Sequence, residues 1–207
     1  MEKQDIRNYT LEELKKEMVS MGEPVHRAVQ IFKWLNQKSV SEFKSMTDLP
    51  RLLCNRLDKA FIIGELKVED HKKSKDGAEK FLWRLRDGKF VESVLIRDNE
   101  RMTLCLSTQV GCKYRCLFCA SGKMNFVRDL EAGEIVGQIL QVWRIYGMKP
   151  SNIVFMGMGE PFDNYDNLVK ALKIINDKDG LGIGARKMTV STCGIVPGIL
   201  KLKDIGL

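Results

Sequence analysis

From residue 103 the sequence alternates short apolar runs with longer amphipathic ones, and that alternation limits the possible folds more than any other feature. "MTLCLS", "NIVFMG" and "RKMTVST" have the length and apolar content of strands. "EAGEIVGQILQVWRIYG", "YDNLVKALKIIND" and the opening of "PGILKLKDIGL" have helical spacing, with Ile135, Ile139 and Val142 on one stripe of the first. Apolar strands, each followed by an amphipathic helix, predict an α/β fold: a parallel sheet covered by helices. Three such units do not close a barrel, and the last helix has barely begun at Leu207. The third strand is therefore expected to lack an outer partner, and the chain to be the truncated N-terminal part of a longer one.

The preceding region has other periods. Thr10 and Glu13 form a capping box opening a helix with Leu11, Leu14 and Met18 on one face; Gly22 and Pro24 end it. Val25, Ala28, Val29, Phe32 and Leu35 predict a second helix, and a third follows Pro50. Between about 64 and 100 the period becomes two: Phe81, Trp83 and Leu85 alternate with charges, Asp87-Gly88 signals a tight turn, and "KFVESVLIRD" is the return strand carrying Glu92. The organisation expected is a helical domain over 1–62, a β-hairpin linker region over 63–100, and the strand–helix series over 101–207.

No apolar run approaches the roughly 18 residues of a membrane helix, and "MEKQDIRNYT" lacks a signal peptide's apolar core. A cytoplasmic protein with no membrane partner, acting as a monomer, is expected. In a reducing compartment clustered cysteines more often bind metal or do redox chemistry than form structural disulfides. The net charge of +7 suits a phosphate-bearing partner, but the excess is spread along the chain with no decisive basic patch.

Four of the six cysteines fall within "CLSTQVGCKYRCLFCASG", directly after the first strand of the series. Cys112, Cys116 and Cys119 are spaced C-x3-C-x2-C. Three thiolates on one short loop can hold three corners of a cubane iron–sulfur cluster and leave the fourth iron open to a substrate. A zinc site, with Cys105 or a distant group as fourth ligand, is the alternative that spacing alone leaves open. Gly157 and Gly159 in "FMGMGEP" let backbone approach a ligand closely, and Glu160 offers an acceptor for an ammonium. Cys54 reads as core, Trp83 as packing, and Phe32 as part of the core stripe; neither Trp34 nor Trp83 is assigned to RNA, and Cys193 is assigned no role.

With its aromatic Phe118 before the last cysteine, the loop resembles that of the radical S-adenosylmethionine (SAM) superfamily, and "GEP" resembles that superfamily's SAM-binding motif. The resemblance implies a partial radical-SAM (β/α) barrel of about three βα units, preceded by a small helical domain and a β-hairpin. It implies a 4Fe-4S cluster on Cys112, Cys116 and Cys119 that chelates SAM, and an electron donor such as flavodoxin or ferredoxin. Reductive cleavage of SAM to a 5′-deoxyadenosyl radical would follow.

"LCLSTQVGCKYRCLFCASG", "LEAGEIVGQI", "FMGMGEP" and "RKMTVSTCGIVPGI", with the N-terminal "RAVQIFKWLNQK", are similar to the RlmN-like dual-specificity RNA adenine-C2 methyltransferases. That similarity implies methylation of an adenine in 23S rRNA, at the peptidyl transferase centre, and of an adenine in the tRNA anticodon loop, through a methyl-cysteine intermediate. It implies that Cys105 resolves the covalent adduct by disulfide formation, that Glu92 accepts a proton, and that Gly159, Glu160 and Ser191 contact SAM. The methyl-carrying cysteine of the family has no counterpart here, so this chain alone is expected to lack methyl transfer. A C8 adenine methyltransferase of the antibiotic-resistance type and a non-catalytic zinc or iron–sulfur RNA-binding module are the alternatives.

Overall fold

The computed structural model describes residues 3–207; residues 1 and 2, the start of the expected helical domain, lie outside the described residues. Strand β1 (Gln4–Asp5) leads through a short 3-10 turn into helices α1 (Leu11–Ser20), α2 (His26–Asn36) and α3 (Arg51–Ala60), and β2 (Phe61–Ile62) returns beside β1 in parallel. The capping box forms: Glu13 N–H donates to the Thr10 hydroxyl at 3.3 Å, and Thr10 N–H to the Glu13 carboxylate at 2.9 Å. Leu14, Met18, Phe32, Leu53, Cys54 and Leu57 are buried among these helices. Val25, expected on the α2 stripe, is 46% exposed because it precedes the first helical residue, and Ile31 packs inward further along the helix.

The sheet then begins with β3 (Lys67–Lys73), β4 (Glu79–Arg84), β5 (Phe90–Asp98) and β6 (Arg101–Cys105), all antiparallel neighbours. After β6 come the two-residue strands β7 (Gln109–Val110) and β8 (Arg128–Asp129), which pair across the neck of the cysteine loop. Helix α4 (Ala132–Tyr146), strand β9 (Asn152–Phe155), helix α5 (Tyr165–Asn176), strand β10 (Met188–Val190) and helix α6 (Val196–Leu202) complete the order. The six long strands form one sheet in the order β10-β9-β6-β5-β4-β3, with β6, β9 and β10 parallel. The fold is mixed α/β, and the antiparallel strands share their sheet with the parallel series.

One face of the sheet is packed under α4 and α5. Phe81, Trp83, Val91, Leu95, Leu104, Ile153 and Phe155 on it are at most 1% exposed, against Ile135, Ile139 and Leu172 of the helices. Trp83 donates its indole N–H to Ser93 at 2.9 Å, which fixes it as a packing residue. The helical region docks on α4 through its 3-10 turn. The buried Arg7 guanidinium donates to the carbonyls of Gly64 and Val40 at 2.6 and 2.9 Å, and Asn8 accepts from Gly133 N–H at 2.8 Å. No helix among the described residues is long and apolar enough to cross a membrane.

Candidate SAM and metal site

Pairing register assembles the site from the strand ends. Val94 pairs with Cys105, Cys105 with Val154, and Val154 with Thr189, so these four residues lie on one face, opposite α4. With the period of two along each strand, Glu92 and Ser191 fall on that same face. Sequence reasoning gave these three residues separate strands; the sheet brings Glu92, Cys105 and Ser191 to one surface.

Their environments differ. The Cys105 thiol is largely enclosed, and burial pushes its pKa up, partly offset by the Met156 backbone N–H. Glu92 is not enclosed: its side chain is 41% exposed and forms an ion pair with Lys80 at 2.9 Å. Ser191 is exposed and continues the ladder by donating its N–H to Phe155 O at 3.3 Å.

Beyond Cys105 the chain crosses to the "GMGEP" turn through Ser107, Thr108 and Gln109, all buried. Met158 N–H donates to the Ser107 hydroxyl at 2.9 Å, Thr108 and Gln109 N–H donate to Met158 O at 2.9 and 3.2 Å, and Glu160 N–H donates to the Gln109 side chain at 2.9 Å. Gln138 of α4 serves Ser107 as a strand neighbour would, accepting from its N–H at 3.0 Å and donating to its carbonyl at 2.9 Å. Asn164 donates to the carbonyls of Thr108 and Leu130 at 2.8 and 2.7 Å.

The glycines of the turn are also required by this interlock. A Cβ on Gly157 would lie 2.7 Å from Leu106 O, and one on Gly159, at φ +100°, 2.5 Å from Gln109 Cβ. The chain's own segment 106–109 occupies that space. Sequence reasoning also missed Ser107, Gln109 and Gln138; the available signal was a polar residue recurring where the pattern called for apolar ones.

The Glu160 carboxylate is 4% exposed and already aligned. One oxygen accepts Phe162 N–H at 3.0 Å and the other Cys193 N–H at 2.7 Å, and the Cys193 thiol bonds to the same carboxylate. Cys193, given no role from sequence, thus sits against this carboxylate. Burial, then the hydrogen bond to Glu160 and that carboxylate's charge, push its thiol up to about 11.

The cysteine loop projects beyond this frame. Cys112, Cys116 and Cys119 are each partly exposed, and all six cysteines are free thiols. Burial pushes the Cys112 thiol up, partly offset by the Tyr114 backbone N–H, with the neighbouring Cys119 and Cys116 adding to the rise. Among the described residues no three Cys, His, Asp or Glu side chains converge on a single ion. The donor set is three thiols on one loop, the type that ligates separate irons of a cubane. Leu117 and Phe118 are 100% and 94% exposed at the tip, and Lys113 anchors one flank to Asp163 at 2.8 Å.

Residues 4–63 match the family described as the ribosomal RNA large subunit methyltransferase N-terminal domain, and residues 106–207 match the radical SAM superfamily. The chain is 48% identical over 205 residues to a probable dual-specificity RNA methyltransferase RlmN of Geobacillus kaustophilus, covering 98% of this chain and 56% of that protein. It is 48% identical to the dual-specificity RNA methyltransferase RlmN of Geotalea uraniireducens, covering 98% and 58%. A crystal structure of a radical SAM methyltransferase from Sphaerobacter thermophilus superposes with a TM-score of 0.86 at 38% identity, covering 96% of this chain and 60% of that one. The chain spans a little over half the length of the curated relatives it matches. With an RlmN-type N-terminal region, a radical SAM region and this level of identity along nearly its whole length, the chain belongs to the RlmN family of radical SAM proteins.

Proposed function

We propose that this chain forms the cluster-binding and SAM-binding part of an enzyme that methylates C2 of an adenine in 23S rRNA and of an adenine in tRNA. The observation that carries the reading is the interlock at the ends of the adjacent parallel strands β6 and β9. There the three-cysteine loop and the Gly157–Glu160 turn are fixed to each other through residues 107–109. Loops at the C-terminal ends of parallel strands are where α/β proteins place their reacting groups. The relatives named dual-specificity RNA methyltransferases, and the N-terminal region's likeness to a ribosomal RNA methyltransferase domain, support RNA as the substrate.

Cys112, Cys116 and Cys119 would hold the 4Fe-4S cluster, which supplies the electron that activates SAM; flavodoxin or ferredoxin is the donor class. Glu160 accepts from the SAM ammonium with the acceptor capacity that Phe162 and Cys193 leave free, beside Gly159 and Ser191. Cys105, whose thiol burial pushes up, would take the resolving role that the family resemblance implies. Glu92, on the face it shares with Cys105 and 2.9 Å from the Lys80 ammonium, is the proton acceptor. Residues 1–62 contact the RNA, 63–100 connect them to the cluster-binding region 101–207, and the protein works as a cytoplasmic monomer.

The test is nucleoside mass spectrometry of rRNA and tRNA from cells with the gene deleted and restored. Loss and return of 2-methyladenosine in both RNAs is expected. Appearance of 8-methyladenosine instead would move the assignment to C8, and no change in either RNA would overturn it.

A further inference from the structure

We propose that Gln109 is a positioning residue that sets the Glu160 carboxylate against the cysteine loop, an inference that rests on the SAM reading above. Gln109 is fully buried, where an amide is costly unless both its ends are satisfied. Both are. Its side-chain oxygen accepts Glu160 N–H at 2.9 Å, and its side-chain nitrogen donates to the Asp129 carboxylate at 2.7 Å. The two partners fix the amide's orientation, because a backbone N–H needs an acceptor and a carboxylate needs a donor. Its Cβ and Cγ meanwhile pack on Gly159 too closely for any side chain there.

The placement of these bonds is informative. Gln109 lies three residues before Cys112 and pairs with Asp129 in the two-residue ladder that closes the neck of the loop carrying Cys112, Cys116 and Cys119. The same side chain that closes the neck holds the backbone of Glu160. One amide therefore links the loop that would hold iron to the carboxylate that would hold the SAM ammonium, fixing the distance across which SAM must reach. Reducing the neck to a structural staple leaves the Glu160 bond unexplained, since Gln109 backbone N–H already ties the two segments through Met158 O.

The bond pattern yields an exchange experiment. Gln109→Glu keeps an acceptor toward Glu160 N–H but sets a second carboxylate against Asp129. Asp129→Asn alone keeps the acceptor that Gln109 uses. Combined, the two changes restore a donor–acceptor pair across the neck with the direction reversed. The protein, reconstituted anaerobically with iron and sulfide, is assayed for iron content, SAM affinity by equilibrium dialysis, the SAM-induced change in the reduced cluster's electron paramagnetic resonance spectrum, and melting temperature.

Gln109→Glu is expected to load iron as the wild type does, to bind SAM at least tenfold more weakly, and to lose the spectral change. Asp129→Asn should behave as wild type, and the double variant should recover SAM affinity to within threefold. Gln109→Met, which keeps the volume and removes both bonds without adding charge, should match Gln109→Glu. Unchanged SAM affinity in Gln109→Glu and Gln109→Met, or weakened affinity that the double variant fails to rescue, overturns the proposal. A wild-type protein that loads iron but shows no response to SAM overturns the underlying SAM reading instead.

Discussion

The cysteine loop and the cradle formed by residues 107–109 and 156–164 sit side by side at the end of one sheet, and they are built in opposite ways. In the cradle Ser107, Thr108, Gln109, Glu160 and Asn164 are buried, and Gln138, Gln109 and Asn164 satisfy backbone groups that the strand ladder leaves unpaired. In the loop the three cysteines are partly exposed, the apolar tip of Leu117 and Phe118 faces outward, and most hydrogen bonds are short-range turns such as Cys119 N–H to Cys116 O. Each neutral hydrogen bond in the cradle contributes about 1 kcal/mol net, and more is lost when one partner is deleted. The protein thus prebuilds the part that would grip SAM and leaves the part that would grip iron to be organised by its ligand, as metal-coupled folding predicts.

This contrast fails most visibly if loop variants damage the fold. Cys116→Ala is expected to abolish cluster incorporation, read as iron per chain after reconstitution, while the melting temperature of the iron-free protein stays within about 2 °C of wild type, as for a surface change. A large drop in the iron-free melting temperature would show that the loop is as structural as the cradle.

The next effect is the mirror image. Gly159→Ala combines a φ of +100° with a Cβ 2.5 Å from Gln109 Cβ, and should destabilise by about 3 kcal/mol in urea unfolding. Gly122→Ala in the loop meets Cys116 O and N at 3.0 and 3.1 Å. A loop that can give should lose under about 1 kcal/mol there, while iron loading falls. Equal costs at the two glycines would erase the distinction.

Ser107→Ala sharpens the comparison within the cradle. It strips the acceptor from Met158 N–H and the donor to Glu92 O, and should cost about 2 kcal/mol in the same unfolding assay.

The smallest effect is a baseline remote from both regions. Burial alone would raise the Glu79 carboxyl pKa, but hydrogen bonds from Tyr146 and His71 outweigh it and leave the value below the ordinary 4.5. A depressed folded pKa gives stability that is present above about pH 4.5 and lost as pH falls through the folded value. Glu79→Gln should therefore be less stable at neutral pH by about 1 kcal/mol, and the gap should close on acidification.

What the sequence made legible follows the same division. The strand–helix alternation, the Thr10 capping box and the Asp87-Gly88 hairpin are local patterns, and each appears where its residues predict. Strand β3 escaped because all seven of its residues are exposed, so "KVEDHKK" carries no alternation; its charges suit an edge strand. The cysteine spacing stands out because its residues are adjacent in the chain. The cradle does not, since Gln109 meets Glu160 across 51 positions and Gln138 meets Ser107 across 31. A buried glutamine reads as an interruption of an apolar pattern until the fold supplies its partners. Likewise the sequence presents Glu92 and Cys105 as unrelated positions, and only strand register puts them on one face.

The central claim is that the three-cysteine loop carries a SAM-responsive 4Fe-4S cluster, and anaerobic reconstitution followed by metal analysis and paramagnetic resonance tests it most directly. The account predicts about four irons per chain and a reduced-cluster signal that changes on adding SAM. Stoichiometric zinc bound tightly in place of iron, with no SAM-dependent signal, would contradict it.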